Sequence, residues 1–348
     1  MIPIRKEIEN FVTREFEQKK GQISLAHDLT HGRGVASFAS LITKYLAKRY
    51  HIENSEYLAF LAEICGLLHD IKREATEELP HGPAGAEYIK NAEIKNLFLP
   101  EELEILYKVI YHHEESYDEI SKRFEDFSIK IIAQAIGVAD KLAEGSGPRA
   151  LERRSFFVGK ERVVSGDLKG KFKYPEESYL SVLGETIRRL YDINHAKKFS
   201  PEIMPIVDFL HPWQYEFYKG LLLSCEMDEV EATKYLHKRG FPKLEGALKR
   251  IDERHLNGLY FESKEFPQLT KTINELASTN IDDLKHSTHR LIMEYVCANS
   301  MDEVVRRYEQ INLAEHEDGF FVRWMQGIIS YRSGNLVKEL EKKLEVML

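Results

Sequence analysis

The chain has 348 residues, of which 43% are apolar and 30% charged, and its formal net charge is −8. A chain of this length exceeds the usual size of one domain and most simply forms two. The acidic balance argues against a nucleic-acid partner, because affinity for that backbone comes mainly from clustered lysine and arginine, but it is compatible with a small phosphorylated substrate.

The apolar pattern indicates neither a membrane partner nor export. No apolar stretch approaches the roughly 20 residues that span a bilayer, and the first residues alternate charged and apolar side chains without a signal-peptide core. The cysteines, Cys65, Cys225 and Cys297, lie far apart without CxxC spacing, which argues against a disulfide framework or a zinc finger. We therefore expect a cytoplasmic protein.

Helical periodicity dominates the N-terminal part of the chain. Apolar residues recur at helical spacing and β-branched alternation is scarce, so the sequence predicts an all-α protein. Proline and glycine punctuate the pattern, with Gly21 ending the first helix and Pro100 beginning the fifth at a favoured early position. The predicted helices lie near residues 3–19, 30–50, 55–71, 82–96, 101–113 and 126–143.

The helical pattern weakens over residues 145–175, which are rich in glycine. We expect a boundary there, with either an irregular arm or a short β-hairpin that includes Val163 and Val164. The basic and aromatic residues of this stretch favour an arm that packs over the first domain or supports a homodimer, although an oligonucleotide surface is an alternative. The predicted divisions are a first domain at 1–155, a connecting arm and helix at 156–205, and a C-terminal helical domain at 206–348 that binds a partner, dimerises or covers the active site.

Histidines and aspartates lie at the ends of the predicted N-terminal helices. Buried carboxylates such as Asp70 and Asp140, which each close a strongly apolar helix, need a cation or a strong hydrogen-bond network. Imidazole and carboxylate together suit Fe, Mn, Co, Ni or Zn. Asp70 has two oxygens and is the natural bridge between two such cations. In chain order the candidate metal ligands are His31, His69, Asp70, His81, His112, His113 and Asp140.

This order and spacing resemble the HD-domain superfamily of metal-dependent phosphohydrolases. The resemblance covers roughly the first 150 residues and implies that the domain at 1–155 is an HD helical bundle. It implies a four-ligand core of His31, His69, Asp70 and Asp140. It also implies a second metal held by His81 with His112, His113 or both, so that the expected cofactor is one or, more simply, two divalent transition-metal ions.

Two motifs bear on the branch of that superfamily. The segment HGPAGA, which begins at His81, is similar to the branch that cleaves diadenosine tetraphosphate, while the HHE triplet at His112 is shared with many HD phosphodiesterases. The GYP signature of the cyclic-di-GMP branch is missing after that triplet. The resemblance therefore implies hydrolysis of a phosphoester, in a nucleotide or another small phosphorylated metabolite, by metal-activated water, without fixing the substrate.

Cationic side chains next to the ligand positions are candidates to bind the substrate's phosphate. We expect Lys72 and Arg149 to act with Asp70 as catalytic residues, although cations at helix ends are also common in solvent. His27 is interpreted as a neighbour of the helix N-cap rather than a group that supports a ligand. The cations near ligand positions are Arg33, Lys72, Arg73, Lys141 and Arg149.

Two other functions stay open. A few HD-like proteins hold two iron ions and react with oxygen, so a di-iron oxygenase is one alternative. The other is a non-catalytic protein that senses a nucleotide and biases its C-terminal domain. Oxygen consumption without phosphate release would favour the oxygenase, and nucleotide binding without turnover would favour the sensor.

Overall fold

The protein is mostly helical in the part of the chain that its computed structural model describes. Among these residues there is no β-strand, which confirms the prediction of an all-α fold. No helix in the described ranges is both long and apolar enough to cross a bilayer. The described residues are 2–18, 27–73, 80–144, 147–164, 201–207, 210, 217, 291–292, 294–295, 298, 300–309, 311–313 and 319–348.

The helices of the N-terminal part match the predicted ones to within a few residues, apart from one short helix that was not predicted. That helix, α6, begins at the N-cap Ser116, whose Oγ accepts a hydrogen bond from Glu119 N. A 3₁₀ segment at Glu93–Leu97 follows α4, and a π-helical segment at Ala139–Glu144 follows α7. The helices are α1 (Ile2–Gln18), α2 (Leu29–Arg49), α3 (Ser55–Leu68), α4 (His81–Asn91), α5 (Pro100–His112), α6 (Tyr117–Arg123) and α7 (Phe127–Val138).

The region after residue 145 is mostly helical where it is described. Helix α8 (Gly147–Val164) covers most of the stretch in which we expected little helix, so a hairpin strand at Val163 and Val164 is wrong. Residues 165–175 lie outside the described residues. Further along the chain come a 3₁₀ segment at Pro201–Ile203 and helices α9 (Met301–Tyr308), α10 (Gly319–Arg332) and α11 (Asn335–Met347).

The chain divides into two compact units. The first unit is Met1–Gly145 with Ala196–Phe209 and Asn335–Leu348, and the second is Ser146–His195 with Leu210–Gly334. The domain limits that we predicted from the sequence stay a prediction.

The core of the first unit forms where α2, α3 and α7 pack together. Each helix contributes apolar residues at helical spacing, which places them on one face. Helices α2 and α3 approach each other closely at Gly66, where a Cβ would lie 2.6 Å from Ala36 Cα. Because α3 ends at Leu68, this contact fixes the start of the loop that follows. The fully or almost fully buried side chains include Phe38, Ile42, Leu46, Leu61, Ile64, Leu68, Ile131, Ile132 and Ile136.

The second unit contains a buried ionic group around Glu152, a fully buried residue of α8. Glu152 Oε2 accepts a hydrogen bond from Arg149 Nη1 at 2.5 Å. Glu152 Oε1 accepts from Tyr295 Oη at 3.1 Å and from Arg332 Nη2 at 3.0 Å. A buried carboxylate needs such partners, so Arg149 has a structural task inside this unit.

Candidate metal centre

The candidate metal centre of the first unit is built from helix ends. His31 lies in the first turn of α2, where its backbone N–H donates to Oδ1 of the N-cap Asp28 at 3.0 Å. His69 and Asp70 follow the last residue of α3. His81 begins α4, His113 follows α5, and Asp140 lies in the π-helical segment after α7. Short polar segments between buried helices thus bring these side chains to one place.

Asp70 lies in the middle of this centre with 3% of its surface exposed. Its Oδ2 lies 3.3 Å from His69 Nε2 and 3.6 Å from His31 Nε2. Asp140 belongs to the same side, because its Oδ1 lies 3.2 Å from His31 Nε2. His27 adds a contact of 2.6 Å between its Nδ1 and Asp70 Oδ2. We call these residues the Oδ2 side.

The other carboxylate oxygen of Asp70 faces a second set of donors. Asp70 Oδ1 lies 3.1 Å from His81 Nε2 and 3.9 Å from His113 Nε2. The two imidazole nitrogens are 3.1 Å apart. We call His81, His113 and Asp70 Oδ1 the Oδ1 side. One carboxylate therefore separates two groups of potential ligands.

The spacing of the donor atoms suits a cation on each side. Metal bonds of about 2.0–2.1 Å in a tetrahedral site place donor atoms about 3.4 Å apart. The separations of 3.2–3.6 Å among the His31, His69, Asp70 and Asp140 atoms of the Oδ2 side, and of 3.1–3.9 Å on the Oδ1 side, lie near that value. The 2.6 Å contact of His27 with Asp70 is a hydrogen-bond distance instead. Within the described chain, His69 Nε2 and Asp70 Oδ1 are buried and make no hydrogen bond of acceptable geometry. Buried polar atoms without such a bond are costly, so these residues fit a bound cation.

Backbone carbonyls fix the tautomers of two histidines. His69 Nδ1 donates to Gly66 O at 2.8 Å, and His113 Nδ1 donates to Ile110 O at 2.7 Å. Because a carbonyl can only accept, each Nδ1 must carry the proton, and the neutral ring then presents the lone pair of Nε2 to the centre. His31 Nδ1 hydrogen-bonds the buried Glu144 carboxylate, which orients that ring in the same way.

The charges in the centre favour a cation. Burial alone would raise the pKa of Asp70, but His69 and His27 hold it well below its usual range. Burial would likewise raise the pKa of Asp140, but His31 holds it low. Burial, together with His69, lowers the pKa of His113 to about 3. At neutral pH both carboxylates are therefore ionised and His113 is neutral, which are the forms that bind metals.

His69 is the exception among the donors. Burial alone would lower its pKa, but the carboxylate of Asp70, supported by Asp140, raises it to about 9. Either a proton on His69 or a cation in the centre would balance the negative charge of Asp70 and Asp140. A cation held by His69 and Asp70 would compete with that proton.

Six of the seven sequence-predicted metal ligands come together in this centre. The seventh, His112, does not, because its Nδ1 lies 2.7 Å from Glu115 Oε1 and its ring packs against Tyr111 and Phe124. Successive side chains on a helix point about 100° apart, and here His113 faces the centre while His112 points away from it. The structure therefore favours His113 from this pair. The six are His31, His69, Asp70, His81, His113 and Asp140.

The two cations predicted to bind phosphate have other partners in the structure. Lys72 Nζ lies 3.8 Å from the centre of the Tyr88 ring, a favourable cation–π contact. Arg149 lies in the second unit, 3% exposed and paired with Glu152. These contacts give no support to the predicted catalytic roles of Lys72 and Arg149, which stay predictions.

Sequence reasoning missed several residues that contact the ligands. His27 was interpreted as a capping neighbour but contacts Asp70, and its signal was the spacing of four residues before His31. Glu144 lies four residues after Asp140, a helical spacing that places both on neighbouring turns. Arg73, three residues after Asp70, was named only as one of several nearby cations. Its Nη1 lies 2.6 Å from His81 Nε2.

Comparison with known proteins agrees with this geometry. The family model described as HD domain matches residues 28–145, a segment that contains all six converging ligands. No curated protein and no solved structure matches the chain.

Proposed function

Residues 28–145 of this chain are an HD domain, and on that premise we propose that the protein is a metal-dependent phosphohydrolase. The substrate class is a phosphoester of a nucleotide or of another small phosphorylated metabolite. The proposed cofactor is a pair of divalent transition-metal ions, one on each side of Asp70. The net charge of −8 agrees with a small substrate rather than a nucleic-acid chain.

The division of donors around Asp70 carries this proposal. A carboxylate whose two oxygens face separate groups of imidazoles is suited to bridge two cations. His31, His69 and Asp140 lie on the side of one Asp70 oxygen, and His81 and His113 lie on the side of the other. A mixed nitrogen and oxygen set of this kind favours Fe, Mn, Co, Ni or Zn over Mg or Ca.

The residues of the chain prepare the centre for hydrolysis. When bound, divalent cations supply the Lewis acidity that lowers the pKa of a water toward neutrality and offsets charge on a phosphoryl oxygen. Asp70 holds the two sides at a fixed separation because both of its oxygens are engaged. Gly66 O and Ile110 O hold His69 and His113 in their ligand tautomers. Arg73, with 32% of its side chain exposed, brings positive charge to the Oδ1 side, where an anionic substrate would approach.

Metal content and phosphate release test the proposal together. We expect the full chain, purified without a histidine tag, to contain two transition-metal ions and to release phosphate or a nucleotide from members of a phosphoester panel. Treatment with a chelator should abolish this turnover, and adding back Mn²⁺, Fe²⁺ or Co²⁺ should restore it. Mass spectrometry of the metals and a phosphate assay provide the two measurements.

Other outcomes would replace the proposal. Oxygen consumption by the iron-loaded protein without phosphate release would favour the di-iron oxygenase. Nucleotide binding without turnover in a metal-loaded protein would favour the sensor. A protein that binds no metal after reconstitution would contradict both the hydrolase and the oxygenase.

A further inference from the structure

Arg73 lies among the donors of the Oδ1 side. Its Nη1 is 2.6 Å from His81 Nε2 and 3.6 Å from Asp70 Oδ1. Both of these contacts fall on the Oδ1 side of the centre. The side chain follows Asp70 by three residues and is 32% exposed, so it can leave the centre without disturbing the core.

The contact with His81 uses the atom that a metal would use. A guanidinium group has only donors. Arg73 Nη1 lies 2.6 Å from His81 Nε2 and 3.2 Å from His81 Nδ1, so it lies against the ring and beside Nε2. A cation bound to Nε2 would therefore lie close to the guanidinium. A guanidinium and a divalent cation at neighbouring positions would repel each other. Arg73 must therefore release His81 before this nitrogen can bind a metal.

Glu114 offers Arg73 a second position. Glu114 Oε1 lies 3.8 Å from Arg73 Nη1, while Glu114 Oε2 lies 3.2 Å from His81 Nδ1. The Glu114 side chain is 46% exposed, more than that of Arg73 or His81. A short rotation of the arginine toward Glu114 would free His81 Nε2 while its charge keeps a counterion.

We propose that Arg73 is a built-in competitor for the cation of the Oδ1 side, so that the two sides load with unequal affinity. The Oδ2 side, with His31, His69 and Asp140, fills first. The Oδ1 side fills at a higher metal concentration, when the cation displaces Arg73 from His81. This inference rests on the proposed function, because it requires that the centre binds two cations.

Metal titration of the full chain tests the competition without reference to activity. We expect calorimetric titration of the metal-stripped protein with Mn²⁺ to give one tighter and one weaker site. Arg73→Ala and Arg73→Met should both tighten the weaker site by about 10-fold to 100-fold and leave the tighter one unchanged. The methionine variant keeps most of the aliphatic stem, so agreement between the two variants separates the charge effect from a local packing defect.

Two further variants distinguish the proposed route from a general charge effect. Arg33→Ala removes a positive charge from α2, where Arg33 pairs with Glu9, and should leave both affinities unchanged. In a His81→Ala background, Arg73→Ala should no longer tighten the site, because the imidazole that holds Arg73 in the centre is gone.

The outcomes separate this inference from the proposed function. If both Arg73 variants bind two cations with the wild-type affinities, or bind the second cation more weakly than the wild type does, the competition is overturned and the hydrolase proposal stands. Equal tightening by Arg33→Ala would also overturn it, because net charge would then explain the effect. A wild-type chain that binds no Mn²⁺ would overturn the inference and the two-metal proposal together.

Discussion

Asp70→Asn is expected to remove cations from both sides of the metal centre and to lower phosphoester hydrolysis on the order of 10³-fold. The asparagine side chain keeps the shape of aspartate but has one oxygen and an NH₂ group, and it carries no charge. It therefore cannot offer one carboxylate oxygen to a cation beside His69 and the other to a cation beside His81. Metal analysis by mass spectrometry and an assay of phosphate release would measure the two losses.

Asp126→Asn is the matched control for this substitution. Asp126 is the N-cap of α7, and its Oδ1 accepts hydrogen bonds from Ser128 N at 2.8 Å and Ile129 N at 3.3 Å. Asparagine caps helices about as well as aspartate, so this variant should keep its metals and its activity. Retention of two cations and full turnover by Asp70→Asn would contradict the bridging role of Asp70.

The elements that the sequence predicted best are those in which local signals agree. Apolar periodicity with clear breakers predicted a helix near 30–50, and α2 occupies Leu29–Arg49. Helix α3 was predicted three residues too long, because the apolar pattern continues through Ile71 although the helix ends at Leu68. Helix α8 was missed because its glycines suggest a loop, whereas Gly147, with φ of +61°, lies at its first position.

The ligand types and their order were predictable, but their mutual geometry was not. Resemblance identified the histidines and aspartates as a set, and the match of residues 28–145 to the HD-domain family model confirms that resemblance for the N-terminal part of the chain. The choice between His112 and His113 depends on the rotation of α5, which two adjacent identical residues do not reveal. The contact between His31 and Glu144 joins residues 113 positions apart, so only the packing of the helices brings it about.

Gly66→Ala is expected to lower the free energy of unfolding by about 3 kcal/mol, at the upper end of the usual cost of overpacking. A Cβ at this position would lie 2.6 Å from Ala36 Cα and 2.7 Å from Ala36 N, and backbone atoms cannot move aside as a flexible side chain can. Helices α2 and α3 would have to separate. Since α2 carries His31 and α3 leads into His69, the same change should weaken metal binding. Urea denaturation followed by circular dichroism, with a metal titration, measures both effects.

Gly32→Ala provides the control at the same helix pair. A Cβ at Gly32 would have Leu67 O as its nearest neighbour at 3.4 Å, an ordinary contact. Each substitution gains about 1 kcal/mol from the higher helix propensity of alanine, so the difference between the two variants isolates the clash. We expect Gly32→Ala to be as stable as the wild type or more so. Equal stability of the two variants would show that α2 and α3 can separate at Gly66 without cost, and the metal centre would then not depend on their close approach.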